Sequence, residues 1–417
     1  MQNSVAFCAV LLCWLCCSSG GIAIAAERPS YVLNQRAVEK MQQGEYPAAL
    51  ELLKQALEIQ PRSEVLLYNL GQAHLLLGKQ LIQQKDFQQA AEVLDRGKQY
   101  DGQESRLWLN RGVALLGNND YLYAEAELNE AWAMNGDEPQ VLWLLGRLYD
   151  RTDRVREAIE VWERALQLDS QNQLIAGHLE KARQELAVES QMEKGYGGHF
   201  VLSYDGQVST ELSNDILEVL EDAYNWVGYQ LDHYPQRQVP VLIYADKDFD
   251  GLTGSPDWVS GLYDGKIRLP AGGLTSVDTR VKGLLFHEYM HVVAHELAGT
   301  HLPFWLSEGL AEVAAAQHRT PSIEILAEFS VRGELFAWAE LEDLNRKFSG
   351  SRVKIAYLQS YSFVRYLLDE FGWFQLRDLL TTLGTGVALG PAIDQTVGVY
   401  AVDYESLAQN WKDQLPQ

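Results

Sequence analysis

Small residues recur along the first part of this chain about every thirty-four residues, in three series that keep register with one another. The first runs Ala37, Gly71, Gly112, Gly146; the second Ala49, Ala90, Ala124, Ala158; the third Ala56, Gly97, Ala131, Ala165. The spacing is broken only by a seven-residue insertion between Gly71 and Ala90. Alanine or glycine at such a position lets two helix backbones approach closely. Larger apolar residues (Leu67, Trp108, Leu142; Leu53, Leu128, Trp162) fill the space left between them. The pattern predicts four pairs of antiparallel helices from Ser30 to Gln173, then a terminal helix from about Leu174 to Met192. A plain helical bundle has no reason to hold three series in register.

The array resembles the tetratricopeptide repeat, and Pro61 sits where units of that family often close. The resemblance implies a concave surface that takes a peptide or a partner protein, although such arrays also act as spacers or packing partners.

After residue 192 the pattern changes. Glu193–Gly198 reads as a linker. His199–Tyr204 alternates like a strand, Thr210–Leu231 reads as a helix, and Val239–Tyr244 reads as a buried strand. Asp246–Asp264 is rich in turn residues, and Lys266–Leu269 reads as a short strand closed by Pro270. From Val281 the apolar spacing is helical almost to the end, with Trp373 and Trp411 expected in the core. The expected fold is thus multi-domain. An α-helical solenoid over 27–192 and a linker over 193–198 precede an α+β domain over 199–417.

The chemistry lies in that second part. His287-Glu288-Tyr289-Met290-His291 has the zinc-hydrolase spelling H-E-x-x-H. On a helix the two histidines are separated by about 400° of rotation and 6 Å of rise, so both imidazoles face one side. Glu288 projects beside them, placed to polarise a water without being a ligand. A second run, Trp305-Leu306-Ser307-Glu308-Gly309-Leu310-Ala311-Glu312, offers Glu308 as third ligand across an antiparallel return. Gly309, costly inside a helix, predicts close approach of the two helices. Glu312 is one turn on, where it could accept the free ring N–H of a ligand histidine. His295 lies a further turn along the first helix, and His301 in the loop.

Together the two runs are similar to the gluzincin clan. More narrowly, residues from about His199 onward resemble the bacterial peptidase MA-like family, which often follows tetratricopeptide repeats. The resemblance implies one zinc ion per chain, held by His287, His291 and Glu308, with Glu288 as general base. Gluzincin aminopeptidases use a tyrosine from a Tyr-x-x-Gly helix start for the oxyanion. Here the matching stretch is Tyr357-Leu358-Gln359-Ser360, which departs at its last residue, and Tyr361 is a rival. The Gly265–Leu269 strand is the candidate edge for an extended peptide. Aminopeptidases of the clan anchor the substrate amine with a glutamate there. This stretch has Asp264 and Arg268 but no glutamate, which favours endopeptidase action; Arg268 itself reads as a solvated edge charge.

Composition limits the remainder. A net charge of −23 with no basic run gives no footprint for nucleic acid. Residues 1–26 hold no Asp, Glu, Lys or Arg, and end in Ala23-Ile24-Ala25 before Ala26, a signal-peptide pattern without its basic start. The segment is expected to be a cleaved signal peptide or else an uncleaved anchor, placing the protein in the periplasm or outside the cell. Past it no apolar run reaches membrane-spanning length. Cys8, Cys13, Cys16 and Cys17 all lie inside it, so a cleaved chain has no disulfide. The reading is an exported zinc metallopeptidase whose repeats recruit a substrate or partner protein. Its rival is an interaction scaffold whose zinc domain is non-catalytic or acts on non-peptide bonds.

Overall fold

The computed structural model describes residues 29–206, 208–244, 262–263, 265–270, 275–342, 351–398 and 404–415. The proposed signal segment and most of Asp246–Asp264 lie outside the described residues. By contact the chain divides at Leu66 into two compact units. The first holds α1 (Pro29–Gln42) and α2 (Tyr46–Ile59), packed on each other through Ala37, Ala49, Leu53 and Ala56, all fully buried.

α3 (Glu64–Gln83) is followed in the second unit by α4 (Phe87–Tyr100), α5 (Ser105–Gly117), α6 (Tyr121–Asn135), α7 (Pro139–Arg151) and α8 (Val155–Leu168). α9 (Gln173–Glu189) closes the array. A Cβ at Gly78, Gly112 or Gly146 would fall under 3.0 Å from Leu94, Leu128 or Trp162 of the following helix. The first small series therefore runs through Gly78, and Gly71 instead lies against Asp101 at the end of α4. The seven-residue insertion is absorbed upstream of Gly78 by the longer α3, which has 20 residues where α4 has 14.

The segment Glu193–Gly198 is not a linker. β1 (Glu193–Tyr196) pairs antiparallel with β2 (Phe200–Tyr204), and its mostly exposed side chains left no apolar alternation to read. α10 (Thr210–Leu231) then crosses to β3 (Val239–Tyr244), parallel to β2. β4 (Leu262–Tyr263) and β5 (Ile267–Pro270) complete a sheet of order β1-β2-β3-β5-β4, in which β5 is parallel to β3 and β4 antiparallel to β5. β5 is therefore interior, and β4 is the strand at that edge of the described sheet, because β4 covers the side of β5 read as free.

Strand alternation gives the sheet two different faces. Phe200, Leu202, Val239, Val241, Ile243, Ile267 and Leu269 join α10 and the later helices in one core. The opposite face meets the repeat array: Leu242 and Tyr244 pack against Val188 of α9 and against Met192 just beyond it. Arg268 and Lys266 share that junction, only 4% and 1% exposed. Arg268 is thus a buried ion-pair partner and not a solvated edge charge. Lys266 Nζ lies 2.6 Å from Glu185 and 2.8 Å from Asp153, and Arg268 lies 2.9 Å from Glu185.

The remaining helices are α11 (Thr279–Ala298), α12 (Phe304–Ala315), α13 (Glu324–Val331), α14 (Trp338–Glu342), α15 (Ser351–Gly384), α16 (Leu389–Thr396) and α17 (Tyr404–Asp413). α15 breaks at Gly372, whose φ of 82° is foreign to a helix. Trp411 is buried and donates to Ser362 Oγ at 3.0 Å, while Trp373 is partly buried, its ring edge-on to Trp226.

Gly309 brings α12 close to α15, not to α11: a Cβ there would lie 2.5 Å from the Ser360 carbonyl oxygen. The approach of α12 to α11 comes instead at Gly283, where a Cβ would sit 3.3 Å from the Ala315 carbonyl. Gly309→Ala is expected to cost about 1–3 kcal/mol through overpacking. A lowered denaturant midpoint at unchanged m-value checks this.

Candidate metal centre

α11 and α12 hold the candidate residues face to face. Asp278 caps α11, accepting from the Val281 amide at 2.8 Å, and Gly299, at φ 58°, ends it. A short 3₁₀ turn, Gly299–His301, leads to Pro303 and the start of α12. This return sets Glu308 opposite the two histidines, and His287, His291 and Glu308 form a group able to hold a metal ion.

The two Nε2 atoms are 3.2 Å apart, and Glu308 Oε2 lies 3.4 Å from His287 Nε2 and 3.6 Å from His291 Nε2. Three donors bound at about 2.0–2.1 Å around one tetrahedral zinc stand some 3.3–3.4 Å from each other, so the observed triangle fits such an ion. The other ring nitrogens support the same arrangement. His291 Nδ1 is 2.9 Å from Ser307 Oγ, and His287 Nδ1 is 3.4 Å from Glu312 Oε1. A proton on each Nδ1, donated to those oxygens, leaves both Nε2 lone pairs facing the centre.

Electrostatics follow from burial. Burial opposes charge on His287, but Glu308, Glu288 and Glu312 outweigh it and raise the ring to about 9. His291 is lowered to about 3, chiefly by burial. Burial also works against charge on Glu308, yet the histidines hold its carboxyl below the usual range. Glu288 is 3% exposed, its Oε2 has no hydrogen-bond partner among the described residues, and burial raises it to about 7. A carboxylate so placed is a base without an occupation inside the protein.

Tyr357 reaches this group from the first turns of α15, its ring edge-on to Phe304. Burial first, then the charges of Glu308, Glu288 and Glu312, raise its hydroxyl above the ordinary tyrosine value and keep it protonated. Tyr361, one turn on, is raised by burial and feels chiefly Arg365 and Asp369, with Glu312 a weaker influence. His295 stands apart from the triangle, its ring 6.4 Å from that of His291 and 5.7 Å from that of Tyr263 on β4. His301 faces Phe87 of the repeat array at 6.2 Å.

Sequence reasoning passed over Ser307, although it sits inside the run that supplied Glu308; a hydroxyl directly before a ligand glutamate was the available sign. It also passed over the repeat array's approach to this helix, where Asn119 donates to the His295 carbonyl at 3.1 Å. Ser307→Ala and Glu312→Gln are each expected to weaken metal affinity about 10–100-fold without unfolding the chain. Competition against a chromophoric chelator measures the first effect and circular dichroism the second.

Two kinds of family model match this chain. Residues 232–417 match the family model of the Peptidase MA superfamily, residues 39–78 that of a TPR repeat, and residues 109–173 that of a tetratricopeptide repeat. Among solved structures, a thermophilic TPR protein in Thermus thermophilus is 22% identical, covering 37% of this chain and 98% of that chain at a TM-score of 0.23. No curated protein matches.

Proposed function

We propose that this chain, in which tetratricopeptide repeats precede a Peptidase MA superfamily domain, is an exported zinc-dependent metallopeptidase. The observation that carries the reading is the buried carboxylate of Glu288, whose Oε2 has no hydrogen-bond partner among the described residues, beside the triangle of His287, His291 and Glu308. Zinc held by those three residues would supply Lewis acidity, making water nucleophilic near neutral pH. With its carboxyl raised to about 7, Glu288 takes a proton from the attacking water and returns it to the leaving amine. The protonated Tyr357 hydroxyl faces the same space and can donate to a developing oxyanion.

An extended peptide would add to β4, the edge of the described sheet nearest α11, by backbone hydrogen bonds. The described residues of β4, Leu262 and Tyr263, include no glutamate to hold a substrate amine, which supports internal cleavage. The repeats would recruit the substrate or a partner protein. Export rests on the charge-free residues 1–26 with their Ala23-Ile24-Ala25 end. Among the described residues no helix is long and apolar enough to cross a membrane.

The test is metal analysis of the purified protein with a chelator-sensitive assay on a broad peptide pool. One zinc per chain, and cleavage lost on chelation and regained with zinc, is the expected result. Absence of stoichiometric metal would overturn the centre. Stoichiometric zinc without cleavage would favour the scaffold reading.

A further inference from the structure

α7 and α9 enclose a cleft of about 190 Å³ lined by Arg147, Asp150, Arg151, His178, Lys181 and Ala182. The chain carries 57 acidic residues against 34 basic ones, yet here three cations and an imidazole share a wall with one acid. Among the described residues Arg147, Arg151 and Lys181 form no ion pair, unlike Arg154, Arg164 and Arg183 nearby. The cations press on one another: burial and then Arg151 hold Arg147 below its usual value, and burial, Arg147 and Lys181 lower His178.

The wall is rigid. The His178 ring packs 4.8 Å from Trp143 and 5.5 Å from Trp162, and the Arg147 guanidinium lies 5.8 Å from the Trp143 ring. Ala182, one turn after His178, leaves room between the charged groups. The cleft also borders the peptidase domain. A Cβ at Gly265, just before β5, would lie 3.3 Å from the Arg151 carbonyl, and the Arg151 charge reaches His295 on α11.

Guanidinium groups held in a wall with no direct ion pair among the described residues, and only Asp150 as a nearby acid, are suited to bidentate capture of a carboxylate. The space admits one carboxylate and its stem, and the overall negative charge of the chain repels extended polyanions. We propose that this cleft binds a carboxylate of the polypeptide presented to the peptidase domain, so that the protein selects acidic peptide segments. This deepens the metallopeptidase reading by naming its substrate class; the binding step itself does not depend on hydrolysis.

The test uses the full chain carrying Glu288→Gln and a fluorescein-labelled peptide with Asp and Glu in a Gly/Ser background. The peptide is prepared as free acid, as C-terminal amide, and with every Asp and Glu changed to Asn and Gln. Fluorescence anisotropy is expected to show salt-sensitive binding that falls at least about tenfold in Lys181→Glu and in Arg147→Gln, the loss of one charge-assisted hydrogen bond. Arg183→Glu, the same charge change on α9 at a residue paired with Glu163, is expected to leave binding intact. Loss with the amide assigns the chain end as the ligand, and loss with the Asn/Gln peptide assigns the side chains. Should Arg147→Gln not fold, the exposed Lys181→Glu carries the test. No binding of the acidic peptide, or binding unchanged in Lys181→Glu, overturns the proposal. Binding as expected alongside no proteolysis by the parent chain would overturn the peptidase reading alone.

Discussion

Glu288→Gln is expected to lower peptide hydrolysis about 10²–10⁴-fold while the protein keeps its metal. Gln has nearly the shape of Glu but cannot accept a proton from water, so the change removes the base and little else. Glu288 is not one of the three converging donors, and metal content should therefore match the parent. Stability should hold or rise. Burial raises the Glu288 carboxyl, so an ionised Glu288 is a cost to the fold that a neutral amide avoids. Rates on a common substrate, zinc stoichiometry and a melting curve together make the check. A variant that hydrolyses at more than a tenth of the parent rate would show that the proton goes elsewhere.

The second large effect lies away from the metal. Glu185→Ala is expected to destabilise the protein by about 3–5 kcal/mol, because it leaves Lys266 and Arg268 buried without the carboxylate they share. Burial works against charge on Glu185, but the two cations hold its carboxyl low. Its neighbour behaves in the opposite way. Burial, against the pull of Lys266, and then the charge of Glu185 raise Glu189, and a hydrogen bond between the carboxyl groups puts their proton on Glu189. The sign for stability follows. A raised folded value means that Glu189 contributes fully below its unfolded value, near 4.3, and loses that contribution as pH rises through the raised one. Glu189→Gln, which still donates to Glu185 but does not titrate, should flatten that alkaline loss. Chemical denaturation of parent and both variants across the pH range from acid to mildly alkaline decides it. Equal midpoints for Glu185→Ala and the parent would show that the cluster adds nothing.

The elements that the sequence displayed were those whose burial follows one short period. Repeat helices read well because Ala90, Ala124 and Ala158 recur every thirty-four residues, and α11 because its apolar residues and its two histidines share the helical period. Registers were harder. Gly71 and Gly78 are seven residues apart, two helical turns, so both lie on one face, and only packing against Leu94 tells which belongs to the series. β1 was hidden because a strand held by backbone bonds, with its side chains in solvent, needs no apolar residues. Arg268 was misjudged because a cation on a strand looks the same in sequence whether it faces water or Glu185, and the difference is made by a helix some eighty residues earlier. Gly309 was correctly read as marking a tight helix approach, but its partner is α15, which brings Tyr357 to the carboxylates. Ser307 was overlooked for a related reason: its role exists only once α12 has folded back on α11.

The face of the sheet that carries Leu242, Tyr244, Lys266 and Arg268 has a consequence for how such chains can be rearranged in evolution. The segment that matches the Peptidase MA superfamily begins at residue 232, but the sheet beneath it borrows β1 and β2, and its outer face borrows the end of α9. A gene fusion cut at the edge of that segment would strand two buried cations and an apolar face in water. The C-terminal domain is thus not a portable cassette. It can be inherited only with the end of the repeat array attached, since Asp153 and Asn119 as well as Glu185 and Val188 reach into it. The end of the repeat array and the domain that follows it are bound to travel together.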